Sequence, residues 1–286
     1  MGRLESAGLN APQIDYWNGP AGDKWANFAD SLDVMTEDLG SAAMDACDIR
    51  LGHAVIDVGC GSGATTIEIA RRVGAEGRVL GIDISTPMIE VGRARLHATG
   101  VNGVTFENAD IASHPFQNET FDRVFSRFGV MFFVDPIAAF GNIRGGMKSG
   151  GRFAFVCWQT IDKNPWMGIP LRVALRHVAA AAPADPDAPG PLAFANPDRV
   201  QHILSEAGFV DIDLKPLVSL LPLEADVPGA VQKLLQLGPA TRLLSHVSED
   251  IKARVANDLV DVISKFQTDS GVMVGSASWI ISATAP

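Results

Sequence analysis

Five short apolar runs rich in β-branched residues alternate with segments of helical spacing in the first half of the chain. They lie at residues 54–58, 78–82, 104–107, 121–126 and 152–157. Strands that alternate with helices form a parallel sheet, because each helix crosses one face of the sheet before the next strand begins. The sequence therefore predicts an α/β fold with a largely parallel sheet.

The regions on either side of these five runs differ in composition. About 50 residues precede the first run, with helical spacing at Leu32, Met35 and Leu39 and an aromatic stretch, "DYWNGPAGDKWANF", before it. These residues predict a helical cover. We place the boundaries at residues 1–50 for this N-terminal cover, 51–160 for the core, and 161–286 for a helical lid that also supplies the last two strands.

The C-terminal part has its own start and stop signals. In "ANPDRVQHILSEAGFVDIDL", Asn196 is a good N-cap, Pro197 suits the first helical position and Gly208 suits the helix end, so a strand is expected from about Phe209. Helical spacing follows at about residues 228–266. The chain closes with the apolar run "GVMVGSASWIISAT", a predicted final strand.

Charge and cysteine content exclude several classes of partner. The net charge of −10 argues against nucleic acid, because proteins that bind it present a basic face. Three cysteines without paired spacing fit neither a disulfide framework nor a zinc site, which favours a reducing cytoplasm and no metal. No apolar run reaches the roughly 18 residues of a membrane span, and "MGRLESAGLN" lacks the apolar centre of a signal peptide.

Three glycines stand where the first strand meets its helix. "VIDVGCGSGATT" places Gly59, Gly61 and Gly63 at this turn, where residues without a Cβ allow positive φ and close approach of a ligand. The helix that follows offers unpaired N–H groups. Dinucleotides and S-adenosylmethionine both bind at such turns, and a tight connection without a ligand is the third alternative.

Carboxylates at two further strand ends bear on which ligand the glycine turn binds. Asp83 can accept bonds from the ribose hydroxyls of either ligand, or cap the helix that begins at residues 85–87. In "ENADIASHPF", Asp110 can accept from an adenine amine while the N–H of Ile111 donates to the ring, although Asp110 also suits a solvated loop. Tyr16, the only tyrosine, precedes the fold and has no lysine four residues later, which weakens a dehydrogenase interpretation.

Five segments occur together in the order of one enzyme family. They are "VIDVGCGSGATT", "VLGIDISTPMIEVGRAR", "VTFENADIASHPF", "FDRVFSRFGVMFF" and "MKSGGRFAFVCW". The chain from residue 16 to 158 resembles the class I S-adenosylmethionine-dependent methyltransferases, in particular their ubiquinone/menaquinone-type small-molecule branch. The resemblance implies a Rossmann-like, doubly wound, seven-stranded sheet, mostly parallel with an antiparallel last strand, plus a helical lid. It also implies S-adenosylmethionine as cofactor and S-adenosylhomocysteine as product.

The resemblance also implies a set of cofactor-binding residues. Asp57 fixes the glycine loop, the glycines pack against the methionine and ribose parts, Ile84 and Met88 flank the adenine, and the backbone of Ser126 borders the methionine. The whole set is Tyr16, Trp17, Trp25, Asp57, Gly59, Gly61, Gly63, Asp83, Ile84, Met88, Asp110, Ile111, Ser126 and Arg127. The three aromatic residues either close over the sulfonium by cation–π contact or pack under a lid. Arg127 pairs with the methionine carboxylate, with an anionic substrate, or with a nearby acid.

The expected reaction is in-line methyl transfer to a small, apolar metabolite. Such a site mainly desolvates and aligns the nucleophile, so a catalytic base is optional. His177, His202 and His246 are the candidate bases in the C-terminal region, each with a surface or core role as alternative. Trp158 and Trp166 are candidates to contact a planar acceptor, or belong to the core. The competing functions are an NAD(P)-dependent oxidoreductase and a non-catalytic S-adenosylmethionine-binding protein.

Overall fold

Seven strands form one mixed sheet in the computed structural model, which describes residues 4–6, 8–116, 119–180 and 185–286. The strands are β1 Ala54–Val58, β2 Arg78–Asp83, β3 Val104–Asn108, β4 Phe121–Arg127, β5 Met147–Trp158, β6 Val210–Pro222 and β8 Gly271–Thr284, and a two-residue strand, β7 Gln267–Thr268, pairs with β8 alone. The spatial order is β3-β2-β1-β4-β5-β8-β6. The first five strands are parallel, and β8 is antiparallel to both β5 and β6. The predicted seven-stranded sheet with an antiparallel last strand is confirmed.

The helices flank this sheet. They are α1 Ala11–Trp17, α2 Pro20–Asn27, α3 Ala29–Ala46, α4 Ala64–Val73, α5 Thr86–Thr99, α6 Pro136–Gly145, α7 Pro165–Ala174, α8 Pro197–Glu206, α9 Val227–Gln236, α10 Pro239–Leu244 and α11 Glu249–Ile263. The signals for α8 are confirmed, since Asn196 accepts a hydrogen bond from the N–H of Asp198 and Gly208 has φ +86°. The predicted helical stretch at 228–266 is three helices, interrupted first at Gly238, where φ is +77°.

One predicted strand boundary and one predicted helix were wrong. Strand β5 begins at Met147, five residues before the predicted start, because Met147 pairs with Phe121 and the N–H of Gly150 bonds to Ala285. The described part of the connection between β3 and β4 contains no helix. A tight turn forms there instead, since the carbonyl of Asp110 accepts a hydrogen bond from the N–H of Ser113. Pro115 also disfavours helical backbone in the residue before it.

Helices α3, α4 and α5 pack beside one another along the sheet, with ion pairs between Arg72 of α4 and Asp45 of α3 and between Arg95 of α5 and Asp33 of α3, whereas α6 and α8 form a second contacting pair. Leu39 and Ala43 of α3 are fully buried, as are Phe125 of β4 and Ala154 of β5. The carboxyl ends of the parallel strands all point to one edge of the sheet, where α1, α2 and the start of α7 also lie. None of the described helices combines the length and apolar character that crossing a membrane requires.

Candidate active site

The glycine loop between β1 and α4 is shaped by backbone conformation and by packing. Gly59, Gly61 and Gly63 have φ of +64°, +52° and +76°. A Cβ on Gly59 would lie 2.7 Å from the Cα of Gly129, and one on Gly63 would lie 2.5 Å from the ring of Phe106. A Cβ on Gly61 would meet only the methyl group of Met88, at 3.1 Å. Gly61 is therefore the glycine whose open side faces a residue predicted to flank the adenine.

Asp57 holds the start of α4 from below the loop. Its side chain is fully buried, and one oxygen, Oδ2, accepts hydrogen bonds of 2.7 Å from the hydroxyls of both Thr65 and Thr66. Burial raises the pKa of Asp57 to about 6, against the opposing effect of the two threonine hydroxyls. The other oxygen, Oδ1, has no partner among the described residues. This orphaned acceptor beside the loop fits a ligand that carries hydrogen-bond donors.

Asp83 links the glycine loop to the start of α5. At the end of β2 its carboxylate accepts from the N–H of Gly61 at 2.8 Å and from the N–H of Ser85 at 2.7 Å. Desolvation by the surrounding protein raises the pKa of Asp83, although the residue is partly exposed. Each oxygen can accept further bonds, so contact with the start of α5 and binding of ribose hydroxyls are compatible.

Asp110 is not a free carboxylate in a solvated loop. Its Oδ1 accepts from the N–H of Ala112 at 3.0 Å, and its Oδ2 accepts from the side-chain amide of Asn10 at 2.8 Å. Asn10 is itself buried and also accepts from the N–H of Val134 at 3.3 Å. Ile111 is buried beside it. Sequence reasoning missed Asn10, because nothing near it in the chain signals a partner 100 residues away.

The N-terminal cover is pinned to the start of α5. The amide nitrogen of Asn18 donates to the carbonyl of Ile84 at 2.8 Å, its oxygen accepts from the N–H of Thr86 at 2.9 Å, and Ser85 donates to the carbonyl of Trp17 at 2.8 Å. These bonds place α1 and α2 directly over the end of β2. Asn18 was not among the predicted site residues.

The structure brings two of the three predicted aromatic residues of the cover together. The ring of Trp17 meets Trp25 at 5.7 Å and Phe132 at 5.2 Å, both in edge-on arrangements. Tyr16 contacts Trp17 at 5.3 Å but is about half exposed. Trp17, Trp25 and Phe132 thus form an aromatic group between the cover and the segment that follows β4.

Ser126 and Arg127 stabilise the end of β4. The hydroxyl of Ser126 donates to the carbonyl of Val58 at 2.8 Å and accepts from the N–H of Gly129 at 3.3 Å, which ties β4 to β1. Arg127 donates to Asp33 of α3, whose carboxylate also accepts from Arg95 at 2.6 Å. Of the three predicted roles of Arg127, the structure shows the pairing with an acid. Asp33 lies far from Arg127 in the chain and carries no sequence signal of its own.

An aromatic wall follows the ends of β4 and β5. Phe128 has φ +60°, a strained conformation for a residue other than glycine, and its ring stacks on Trp158 at 4.1 Å with the planes 12° apart. Trp158 meets Trp166 at 5.0 Å, and both tryptophans are buried. We call Phe128, Trp158 and Trp166 the aromatic wall. Phe128 was not predicted, although its place directly after a strand end was a usable signal.

Asn164 holds Trp166 in place. Its fully buried amide nitrogen lies 2.9–3.1 Å from the carbonyls of Gln159, Thr160 and Ala277, and its oxygen accepts from the N–H of Ala277 at 3.0 Å. Because Asn164 directly precedes α7, these bonds join the end of β5, the start of α7 and β8. The first turn of α7, which carries Trp166, is therefore fixed to the sheet.

No hydrogen bond between described residues joins any two of the three candidate histidines. Nε2 of His177 is 2.9 Å from Asp258 of α11, while His202 on α8 and His246 after α10 are exposed. None of the three has a hydrogen bond or ring contact with the glycine loop or the aromatic wall in the described part of the chain. The structure therefore does not bring them together with the predicted cofactor residues.

The chain is similar to known methyltransferases. A family model described as a methyltransferase domain matches residues 49–187. A ubiquinone/menaquinone biosynthesis C-methyltransferase of Idiomarina loihiensis is 37% identical over 139 residues, which cover 46% of this chain and 55% of the relative. The nocamycin O-methyltransferase of Saccharothrix syringae is 32% identical over 199 residues, covering 66% of this chain and 71% of that protein.

A solved structure shows the same fold. Phosphoethanolamine N-methyltransferase 2 of Haemonchus contortus, in complex with S-adenosyl-L-methionine, superposes with a TM-score of 0.60 at 16% identity and covers 98% of this chain and 60% of that one. The chain thus spans about half the length of the Idiomarina loihiensis relative, and more than two thirds of the Saccharothrix syringae relative.

Proposed function

The chain belongs to the class I S-adenosylmethionine-dependent methyltransferases, and from this membership we propose that it transfers a methyl group from S-adenosylmethionine to a small molecule. The observation that carries the proposal is the arrangement at the end of β2. There the carboxylate of Asp83 bonds to the glycine loop at Gly61 and lies under the N-terminal cover. The competing NAD(P)-dependent function has no comparable support, since the relatives compared above are methyltransferases.

The proposed cofactor site uses residues from four strand ends. Asp83 binds the ribose hydroxyls, while Asp110 and the N–H of Ile111 contact the adenine edge and Ile84 and Met88 flank its ring. The glycine loop and the backbone of Ser126 border the methionine part. Asp57 holds the loop through Thr65 and Thr66.

The chain's own residues then have a limited chemical task. When bound, S-adenosylmethionine would supply an activated methyl group to the acceptor, and S-adenosylhomocysteine would be the leaving group. The protein must exclude water and orient the acceptor, and these two effects account for most of the rate that such a site can provide. No base is required by this proposal, and His177, His202 and His246 are candidates only if the acceptor needs one.

We propose that the acceptor is largely apolar and planar. The aromatic wall supplies apolar ring surface at the ends of β4 and β5, and Trp17, Trp25 and Phe132 form a second aromatic group between the cover and the segment after β4. The relatives named above act in ubiquinone/menaquinone biosynthesis and on nocamycin, which supports a small-molecule acceptor. The net charge of −10 gives no attraction for nucleic acid.

We also propose a separate role for each of three segments of the chain. Residues 1–50 cover the site, residues 51–160 bind the cofactor, and residues 161–286 form the acceptor side and complete the sheet. The described cysteines, Cys47, Cys60 and Cys157, are buried free thiols, which favours a cytoplasmic location.

Calorimetric titration with S-adenosylmethionine, S-adenosylhomocysteine, NAD and NADP tests the proposed function. We expect binding of the first two and none of the nicotinamide cofactors. Incubation with S-adenosylmethionine and a panel of planar phenols and enols should then form S-adenosylhomocysteine that depends on the acceptor. Binding without any acceptor-dependent product would favour a non-catalytic S-adenosylmethionine-binding protein, and binding of NAD alone would overturn the proposal.

A further inference from the structure

Trp166 carries a buried hydrogen-bond donor that the protein does not use. The side chain is only 6% exposed, and its indole Nε1 has no acceptor within reach among the described residues. Trp279 shows the ordinary situation, since its Nε1 donates to the carbonyl of Ala195 at 3.0 Å. Burying a donor without a partner is costly, so native proteins rarely retain one without a use.

The position of Trp166 limits what could bind this donor. Its ring meets Trp158 at 5.0 Å on one side, and Trp158 stacks on Phe128 at the end of β4. On another side lies the turn between α9 and α10, where a Cβ on Gly238 would come within 3.9 Å of the Trp166 ring. The indole therefore belongs to the wall above the strand ends, on the acceptor side of the proposed site.

The indole is also held in one orientation. Asn164, two residues earlier, joins the first turn of α7 to β5 and β8 through buried hydrogen bonds. A fixed backbone and close aromatic neighbours leave little freedom for the ring to rotate toward a protein acceptor. A donor that is oriented in advance and buried among apolar groups discriminates strongly between ligands with and without an acceptor atom.

We propose that the indole N–H of Trp166 donates a hydrogen bond to an oxygen of the methyl acceptor. This inference rests on the proposed function and narrows it: the acceptor is a planar, apolar molecule that carries a hydroxyl or carbonyl oxygen over the aromatic wall. Trp166 is then a specificity-determining residue, because an analogue without that oxygen leaves the N–H unsatisfied.

Two probes that differ by one oxygen test the proposal. The affinities of 1-naphthol and naphthalene are measured by titration, each with and without S-adenosylhomocysteine, for the wild-type chain, Trp166→Phe and Trp279→Phe. We expect the wild type to prefer 1-naphthol at least about tenfold, in line with a buried donor that loses its partner. Trp166→Phe should bring the two affinities within about threefold by weakening 1-naphthol alone.

Trp279→Phe is the matched control, because it removes an indole N–H that the protein itself satisfies. It should keep the wild-type preference. A preference that survives in Trp166→Phe, a wild type without preference, or a wild type that binds neither probe would each overturn the proposal. Failure to bind S-adenosylhomocysteine would instead overturn the proposed function, while the ratio measured without it still tests Trp166.

A spectroscopic measurement covers the case in which Trp166→Phe does not fold. The chain has five tryptophans, and the wild type labelled with indole-15N tryptophan shows their N–H signals directly. A slowly exchanging, buried indole N–H should move downfield with 1-naphthol and stay in place with naphthalene. Equal responses to the two probes, or none, would contradict the proposal.

Discussion

The carboxylates of Asp57 and Asp83 lie close together beneath and beside the glycine loop, and neither forms an ion pair with a described residue. Asp57 bonds to threonine hydroxyls and Asp83 to backbone N–H groups. Burial raises the pKa of each, and the charge of Asp83 also contributes to the raised pKa of Asp57.

Replacing Asp83 tests the ribose contact. We predict that Asp83→Ala weakens S-adenosylmethionine binding at least about tenfold, because two charge-assisted hydrogen bonds contribute roughly 1.5–3 kcal/mol each. Some loss of stability is also expected, since the N–H groups of Gly61 and Ser85 lose their acceptor. Calorimetry on the folded variant measures the affinity.

Asp122→Ala is the control for this experiment. Asp122 also accepts a backbone N–H, that of Ala54 at 2.9 Å, and pairs with Lys148, but it lies at the opposite end of the parallel strands. Its removal should leave cofactor affinity unchanged. Unchanged affinity in Asp83→Ala would remove Asp83 from the cofactor site.

Asp57 predicts a particular dependence of stability on pH. Its pKa is about 6 in the folded chain, against roughly 3.9 for an unperturbed aspartate. Between these values the folded state binds more protons than the unfolded state, so the contribution of Asp57 to the free energy of unfolding falls as the pH rises from about 4 to about 6. Relative to Asp57→Asn, the wild type should lose up to about 3 kcal/mol over this range.

Urea denaturation of both proteins at pH 4, 5, 6 and 7 measures this difference. The two hydroxyl donors, Thr65 and Thr66, keep an oxygen acceptor in Asp57→Asn, so the comparison isolates the charge. Parallel stability curves for the two proteins would show that Asp57 does not titrate in this range.

At the scale of elements, the turn between β1 and α4 depends on where its glycines pack. Gly63 begins α4 with φ +76°, and the space beside its Cα is filled by Phe106 of β3 and by Gly92 of α5. The turn therefore sets how closely α4 and α5 approach each other and the sheet. The same loop contacts the end of β2 through the N–H of Gly61, which donates to Asp83.

A pair of substitutions separates conformation from packing. Gly100 has φ +65°, but a Cβ added there would have no other atom within 4 Å, so Gly100→Ala should cost only the conformational term, about 1 kcal/mol. Gly63→Ala should cost a further 1–3 kcal/mol or so, because its Cβ would lie 2.5 Å from Phe106. Urea denaturation measures both, and equal costs would show that packing at Gly63 is unimportant.

At the scale of the whole molecule, the N-terminal cover touches both sides of the proposed site. Asn10 reaches Asp110, Asn18 reaches the start of α5, and Lys24 donates to the carbonyl of Gln236 at the end of α9. Burial lowers the pKa of Lys24. The cover is therefore connected to the cofactor side through its two asparagines and to the acceptor side through Lys24.

These connections predict that cofactor binding orders the cover and the start of the lid. Hydrogen exchange should show slower exchange in residues 12–30 and 164–182, of which 181 and 182 lie outside the described residues, when S-adenosylhomocysteine is added, because ligand contacts at Asp83 and Asp110 oppose local opening of these segments. Residues 197–206 of α8, which pack on α6 and β6, should not change and provide the internal control. Unchanged exchange in the two segments would contradict a lid that closes on the cofactor.

The order of the strands, the glycine turn and the carboxylates at the ends of β1, β2 and β3 could be predicted from the sequence alone. These features depend on residues that are close in the chain, through hydrophobic periodicity and turn chemistry. The hydrogen bond between Asn10 and Asp110 and the pairing of Arg127 with Asp33 are evident only in the folded structure. The same holds for the positive φ of Phe128, +60°, and for its stacking on Trp158. Such contacts join segments tens to a hundred residues apart, and they depend on how the elements cross in space, which no local pattern contains.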